Sequence, residues 1–207
     1  MSTITLYRHA LSGHSHRVEA FLSILGLEVN IVDVDLANGA HKQPEYLEKN
    51  RFGQVPVIED AGNTLSDSNA ILIYLASKYD KTRSWLPEEL ALAAEVHRFL
   101  SVAAGKVAFG PAAARLVNVF GATLDHDNAI ATAHQVLTDL DTHLEDKKWL
   151  VSDQPTIADI ANYAYIAHAP EGDVSLDDYP NIRSWLARIE QVPGFVPMQT
   201  TAVGLAA

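Results

Sequence analysis

Apolar and polar positions alternate over Thr3–Arg8 (TITLYR), the period of a half-buried strand, and shift to helical spacing over 15–25, where Val18, Phe21, Leu22 and Leu25 share one face. Gly26 follows where a helix commonly ends. Alternation returns over Val29–Leu36 (VNIVDVDL), so the first third of the chain predicts a β-α-β unit with a parallel strand pair. A polar loop with a short helical turn near Pro44–Glu48 comes next. Val55–Glu59 and Asn63–Leu65 then flank Asp60-Ala61-Gly62 as a hairpin. Ser66–Tyr79 reads as an amphipathic helix with Ile71, Leu72 and Leu75 on its buried side. Beyond Trp85 the strand signals stop. The spans 88–107, 126–144, 156–168 and 182–192 all carry helical periodicity. The pattern predicts an α/β domain over 1–80, a linker over 81–87 and an all-helical domain over 88–207.

Composition narrows the partners. The 207 residues carry a net charge of −11, which leaves no basic face to follow phosphates and argues against nucleic-acid binding. No apolar run reaches the ~20 residues of a membrane span, and the N-terminal MSTITLYRHA lacks the basic-then-apolar order of a secretion signal. A cytoplasmic protein is the expectation. There are no cysteines, so the chain itself offers no disulfide, thiolate ligand or thiol nucleophile.

The stretch 41–72 holds the most chemistry. His41-Lys42 is a basic pair in a strongly acidic chain, either a solvated loop pair or a receptor for a carboxylate. Val55-Pro56 places a proline at the head of a strand. Proline cannot donate to a ladder, so it is either a plain edge residue or a cis turn that leaves the Val55 backbone facing an extended ligand. Ser66-Asp67-Ser68 opens a helix, where such residues are ordinary caps. The same helix end suits a ligand carboxylate, and Asp67 suits an ammonium. Thr156-Ile157-Ala158-Asp159 has the form of a capping box and reads as structural. His9, His14 and His16 cluster without the spacing of a metal site, so no metal is expected.

The ordered set HK, QVP and DSNAI within residues 34–79, with the capping box at Thr156–Asp159, resembles the glutathione S-transferase superfamily, in its phi and theta-like classes and bacterial relatives. The resemblance covers nearly the whole chain. It implies a thioredoxin-like βαβ-ββα domain followed by an all-helical domain that contributes a pocket for a hydrophobic electrophile, in a homodimeric detoxification enzyme using glutathione as cosubstrate. Carried over by position, His41 and Lys42 hold the glycine carboxylate of glutathione, with Gln54 beside them. The Val55 backbone pairs with the cysteinyl unit, and Asp67 and Ser68 hold the γ-glutamyl end. Asp67 stands where many members carry a longer side chain. Family members activate the sulfur with a hydroxyl after the first strand. Ser12 fits the serine pattern L-Y-x₄-S from Leu6-Tyr7, Tyr7 and Ser15 compete with it, Ser15 also reads as a helix cap, and His14 could assist. Phe109, Arg115, Tyr163 and Tyr165 are candidates for the electrophile pocket or for helical core. Alternatives to the transferase are a glutathione-dependent peroxidase or disulfide reductase, and a non-catalytic binding module of the same fold.

Overall fold

The computed structural model describes residues 3–202. The chain divides into two compact units. One runs from the N-terminus to Lys81 and is completed by Val192–Gln199; the other runs from Thr82 to Gln191 and resumes at Thr200.

In the first unit, β1 (Ile4–Arg8) lies between β2 (Val29–Asp33), parallel to it, and β3 (Val57–Asp60), antiparallel; β4 (Asn63–Ser66) closes the edge in the order β2-β1-β3-β4. The parallel pair is joined through α1 (Gly13–Ile24), as a crossover requires. α1 packs with α3 (Ser68–Tyr79), and Leu6, Val18, Phe21, Leu22, Ile58, Ile71, Leu72 and Leu75 are fully buried. This is a thioredoxin-like arrangement. A 3₁₀ turn at Ala40–Lys42 leads into the short α2 (Pro44–Leu47). Oδ2 of the buried Asp60 accepts from Tyr74 and Tyr79 hydroxyls and from Lys78 Nζ, which pins the end of α3 to the β3–β4 hairpin.

Four expected boundaries move. The third helix starts at Ser68, because Ser66 still pairs with Val57 in the sheet and Asp67 is the cap. The first helix is capped by Ser12, whose Oγ accepts from Ser15 N; Ser15 lies inside the helix. The β2 ladder stops at Asp33, and β3 begins at Val57.

The second unit is helical: α4 (Leu90–Ala104), α5 (Ala113–Phe120), α6 (His126–His143), α7 (Ile157–Ala167) and α8 (Pro180–Glu190). The expected helix over 88–107 ends at Ala104, and a π-turn at Ala108–Ala112 carries the chain through Gly110 and Pro111 into α5, which the sequence pattern had not separated. A Cβ on Gly110 would stand 2.8 Å from Ala133 N, so glycine there permits the close approach of this turn to α6. Among the described residues, Leu90–Phe120 is the single stretch long and apolar enough to cross a membrane, with half of its apolar window buried in the protein.

Every residue of α7 except its last, Ala167, is buried, and Asp159 organises its start. Oδ2 accepts from Thr156 N at 2.8 Å, and Oδ1 accepts from Leu150 N and Trp185 Nε1, each at 2.9 Å. The capping box is thus extended to a neighbouring loop and to α8. A second buried anchor joins Arg115 of α5 to Glu171 at 2.5 Å; Glu171 also receives His168 Nδ1 and Thr201 N.

Candidate functional site

The four candidates for the activating group, Tyr7, Ser12, His14 and Ser15, lie in β1 or after it, and their partners separate them. Tyr7 donates its proton to Glu59 Oε2 at 2.9 Å, with Lys49 over its ring and Tyr46 against its edge. Ser15 is 1% exposed, and its Oγ accepts from His9 N. His14 brings Nδ1 to 3.2 Å from Ser68 Oγ. Ser12 is half-buried, and its Oγ accepts from Ser15 N at 3.3 Å. A hydroxyl has one proton and two lone pairs, so capping occupies an acceptor position of Ser12 and leaves its O–H able to donate. The same group sits at the N-terminal end of α1, where the helix dipole favours negative charge.

The three clustered histidines have different partners. His9 Nδ1 accepts from Leu11 N, His14 meets Ser68, and His16 Nε2 meets the Val196 carbonyl at 2.8 Å.

The loop before β3 is built as one rigid piece. Asn50 is buried; its Nδ2 donates to the Gln54 carbonyl, its Oδ1 accepts from Phe52 N, and its own carbonyl accepts from Gly53 N. Tyr46 donates to the same Gln54 carbonyl at 2.9 Å. Gly53 has φ +56, and a Cβ there would lie 2.7 Å from the His41 carbonyl. Lys42 Nζ donates to the carbonyls of Phe52 and Gly53 at 3.2 and 3.1 Å, so two of its three donors brace this loop. His41 differs: its Nδ1 is buried and has no hydrogen-bond partner among the described residues. Burial, then the Lys42 charge, lowers the His41 imidazole below its ordinary pKa.

The Gln54 side chain is exposed. The Val55–Pro56 peptide is cis, and the β1–β3 ladder starts only at Val57, so the Val55 amide and carbonyl lie outside that pairing. Asp67 has φ +71 and caps α3 through Ala70 N at 2.9 Å. Ser68 is buried between His14 and Arg17, whose Nη1 lies 3.2 Å from its Oγ.

Sequence reasoning did not single out Arg17, Tyr46 or Asn50. Each sits in an ordinary helical or loop pattern, and its role appears only through partners elsewhere in the chain. Of the candidates in the helical unit, Arg115 is buried on Glu171, Tyr163 is buried with its hydroxyl on Glu190, and Tyr165 is buried. These three serve packing. Phe109 alone is well exposed, at 71%.

Residues 2–77 match the glutathione S-transferase N-terminal domain family, and residues 114–193 match the glutathione S-transferase C-terminal domain family. Glutathione S-transferase 3 of Zea mays is 34% identical over 94% of this chain and 92% of its own length. A solved structure of a possible glutathione S-transferase from Rhodopseudomonas palustris is 32% identical, with a TM-score of 0.88, covering 97% of this chain and 100% of the other. A glutathione transferase homolog from Drosophila mojavensis, solved with bound glutathione, is 29% identical, with a TM-score of 0.85, over 93% of this chain and 90% of the other.

Proposed function

Because this chain belongs to the glutathione S-transferase family and is a glutathione transferase, we propose that it joins glutathione to a small hydrophobic electrophile with Ser12 as the group that activates the sulfur. The single observation carrying this reading is the Ser12 cap geometry. Its Oγ is fixed by Ser15 N while its proton stays available beside the dipole end of α1. Tyr7 spends its proton on Glu59, and Ser15 is buried under His9 N.

The glycine carboxylate is met by the His41 imidazole, whose buried Nδ1 has no partner among the described residues, and by the remaining donor of Lys42, with the Gln54 side chain beside it. The cysteinyl unit pairs with the Val55 backbone in the manner of an added strand. The γ-glutamyl ammonium goes to Asp67 and its carboxylate to Ser68. The Drosophila mojavensis homolog with bound glutathione supports glutathione as cosubstrate.

A thiol of pKa ~8.5 must fall by about two units to be mostly thiolate at neutral pH, which takes about 2.7 kcal/mol. One hydrogen bond to a charged sulfur contributes about 1.5–3 kcal/mol, and a helix N-terminus adds up to about 1–2. The Ser12 hydroxyl and α1 therefore suffice together without a metal. The sulfur then attacks the electrophilic carbon, a C–S bond forms, and the leaving group departs with its electron pair. A homodimer in the cytoplasm completes the reading. Turnover of an aryl halide with glutathione tests it: saturable conjugation is expected, and turnover confined to peroxides or mixed disulfides would overturn the transferase assignment.

A further inference from the structure

Asn38 is the one asparagine of the chain that glycine follows. The pair lies in the turn that joins β2 to the 3₁₀ turn at Ala40–Lys42. Asn38 is exposed, and Gly39 has φ +73 with nothing within 4 Å of the place a Cβ would take. An asparagine there is the chemically labile member of the pair. Its side-chain carbonyl carbon can close a five-membered ring with the next amide nitrogen, and glycine sets no Cβ in the way.

The native turn ties down both reacting groups. Gly39 N donates to the Leu36 carbonyl at 3.1 Å, and Ala40 N to the Asp35 carbonyl at 2.9 Å. The Asp35 carboxylate accepts from Asn38 N at 3.0 Å and from Asn38 Nδ2 at 2.6 Å. These bonds, the side-chain one first, lower the Asp35 carboxyl below its ordinary range. At neutral pH it therefore restrains the amide and holds no proton for a departing ammonia. The turn lies at the surface, so a local opening releases it without unfolding the unit.

We propose that Asn38-Gly39 is a self-modification site, at which deamidation held back by Asp35 weakens the turn that carries His41 and Lys42. Gly39 N, its proton lost to solvent, attacks Cγ of Asn38 and the new C–N bond closes a succinimide. The Cγ–Nδ2 bond breaks, and ammonia leaves with a proton taken back from solvent. Water then opens the ring at either carbonyl, which leaves aspartate or isoaspartate. The sum is one water consumed and one ammonia released.

Either product strains the turn. Aspartate at this position sets a second carboxylate where Nδ2 now meets Asp35, and attraction becomes repulsion. Isoaspartate also lengthens the main chain by a methylene between Asp35 and Ala40, which the turn joins by a hydrogen bond. The Gly39 carbonyl accepts from Lys42 N at 2.9 Å, so the disturbance passes straight into the 3₁₀ turn. The loss of glutathione affinity rests on the reading of His41 and Lys42 as the receptor for its glycine carboxylate; the covalent change does not.

The test holds the full chain in warm, mildly alkaline buffer for several weeks, beside Asn38→Gln, Asp35→Ala and a free peptide of residues 34–42. Thermal denaturation confirms that each variant is folded. Peptide mapping should find a gain of about 1 Da at Asn38, as aspartate and isoaspartate. Conversion should be slower than in the free peptide and several-fold faster in Asp35→Ala. Anion exchange separates the converted fraction by its added charge. By calorimetry that fraction should bind glutathione about twofold to fivefold more weakly than the unconverted one, the scale of one exposed charge pair. Asn38→Gln, whose longer side chain would have to close a six-membered ring, should keep both mass and affinity. An Asn38 that stays intact while the peptide converts overturns the site, and an Asp35→Ala no faster than wild type overturns the restraint. Equal affinity in the two fractions overturns the effect on binding. Fresh wild type that binds no glutathione would remove the carboxylate-receptor reading and that effect with it, while the mass gain at Asn38 would still support the modification site.

Discussion

Removing the Ser12 hydroxyl separates the cap role seen in the structure from the sulfur-activating role proposed for the same atom. As a cap, Ser12 Oγ accepts from Ser15 N at 3.3 Å, long for such a bond, so Ser12→Ala should cost about 0.5–1 kcal/mol of stability. For a chain of this length that is a melting shift of about 1–4 °C. As a donor to sulfur, the same hydroxyl contributes about 1.5–3 kcal/mol, and its loss should raise the pKa of the bound thiol by about 1–2 units. Thiolate absorbance of the glutathione complex, titrated against pH, reads the second effect directly. Ser12→Gly is the useful companion, because glycine costs only a few tenths of a kcal/mol as a cap yet removes the same hydroxyl. Both variants should show the raised thiol pKa, while Ser12→Ala alone shows the larger melting shift; Ser12→Thr should resemble the wild type in both. The pH–rate profile of conjugation should move upward with the thiol. A thiol pKa unchanged in both Ser12→Ala and Ser12→Gly would refute the argument and pass the task to His14 or to the dipole of α1.

Gly53→Ala should weaken glutathione binding about tenfold or more although no ligand-facing side chain is lost, since a Cβ at φ +56 against the His41 carbonyl costs about 1–3 kcal/mol in the loop that carries Val55; calorimetry would check it, and unchanged affinity would mean the loop is not as rigid as argued. Asp159→Ala should cost about 3 kcal/mol or more in urea unfolding, because Leu150 N, Thr156 N and Trp185 Nε1 are left buried without their acceptor. Stability should fall in acid through Glu171: burial raises its pKa, but hydrogen bonds from Thr201, His168 and Arg115 outweigh that and bring it from 4.5 to about 2. A depressed carboxylate stabilises the fold above pH 4.5 and loses that contribution as pH falls towards 2; Glu171→Gln should flatten the pH dependence over this window and lower stability at neutral pH.

The repeating elements were legible where one period ran unbroken. Val18, Phe21 and Leu22 in α1, and Ile71, Leu72 and Leu75 in α3, are all fully buried, as their spacing required. Helix starts were less legible, because both begin in runs of residues that can all cap. Ser12 and Ser15, or Ser66, Asp67 and Ser68, differ only in which one the sheet and the preceding loop leave in non-helical geometry, Ser12 extended and Asp67 at positive φ. α5 was hidden by Gly110 and Pro111, which locally read as a stop; the close approach to Ala133 that calls for glycine is a tertiary fact. In the candidate site, residues with distinctive chemistry at motif positions were nameable in advance. The ones that hold them were not: Asn50 and Tyr46 act on a carbonyl, and Arg17 on a hydroxyl 51 positions away. Nor was it legible that Lys42 braces the Phe52–Gly53 turn.

The first unit is not complete in the order in which it is made. Val192–Gln199 returns to it, with the Val196 carbonyl on His16 and the Phe195 ring edge-on to the same imidazole. His16 stands one helical turn after Ser12, and its amide donates to the Ser12 carbonyl. During synthesis, therefore, once Lys81 has been made, the helix bearing Ser12 lacks its covering segment until about 110 further residues have emerged, an interval of roughly 5–20 s at ordinary elongation rates. In that interval the nascent first unit exposes the imidazole face of α1, and its last contacts form only once the helical unit has been translated.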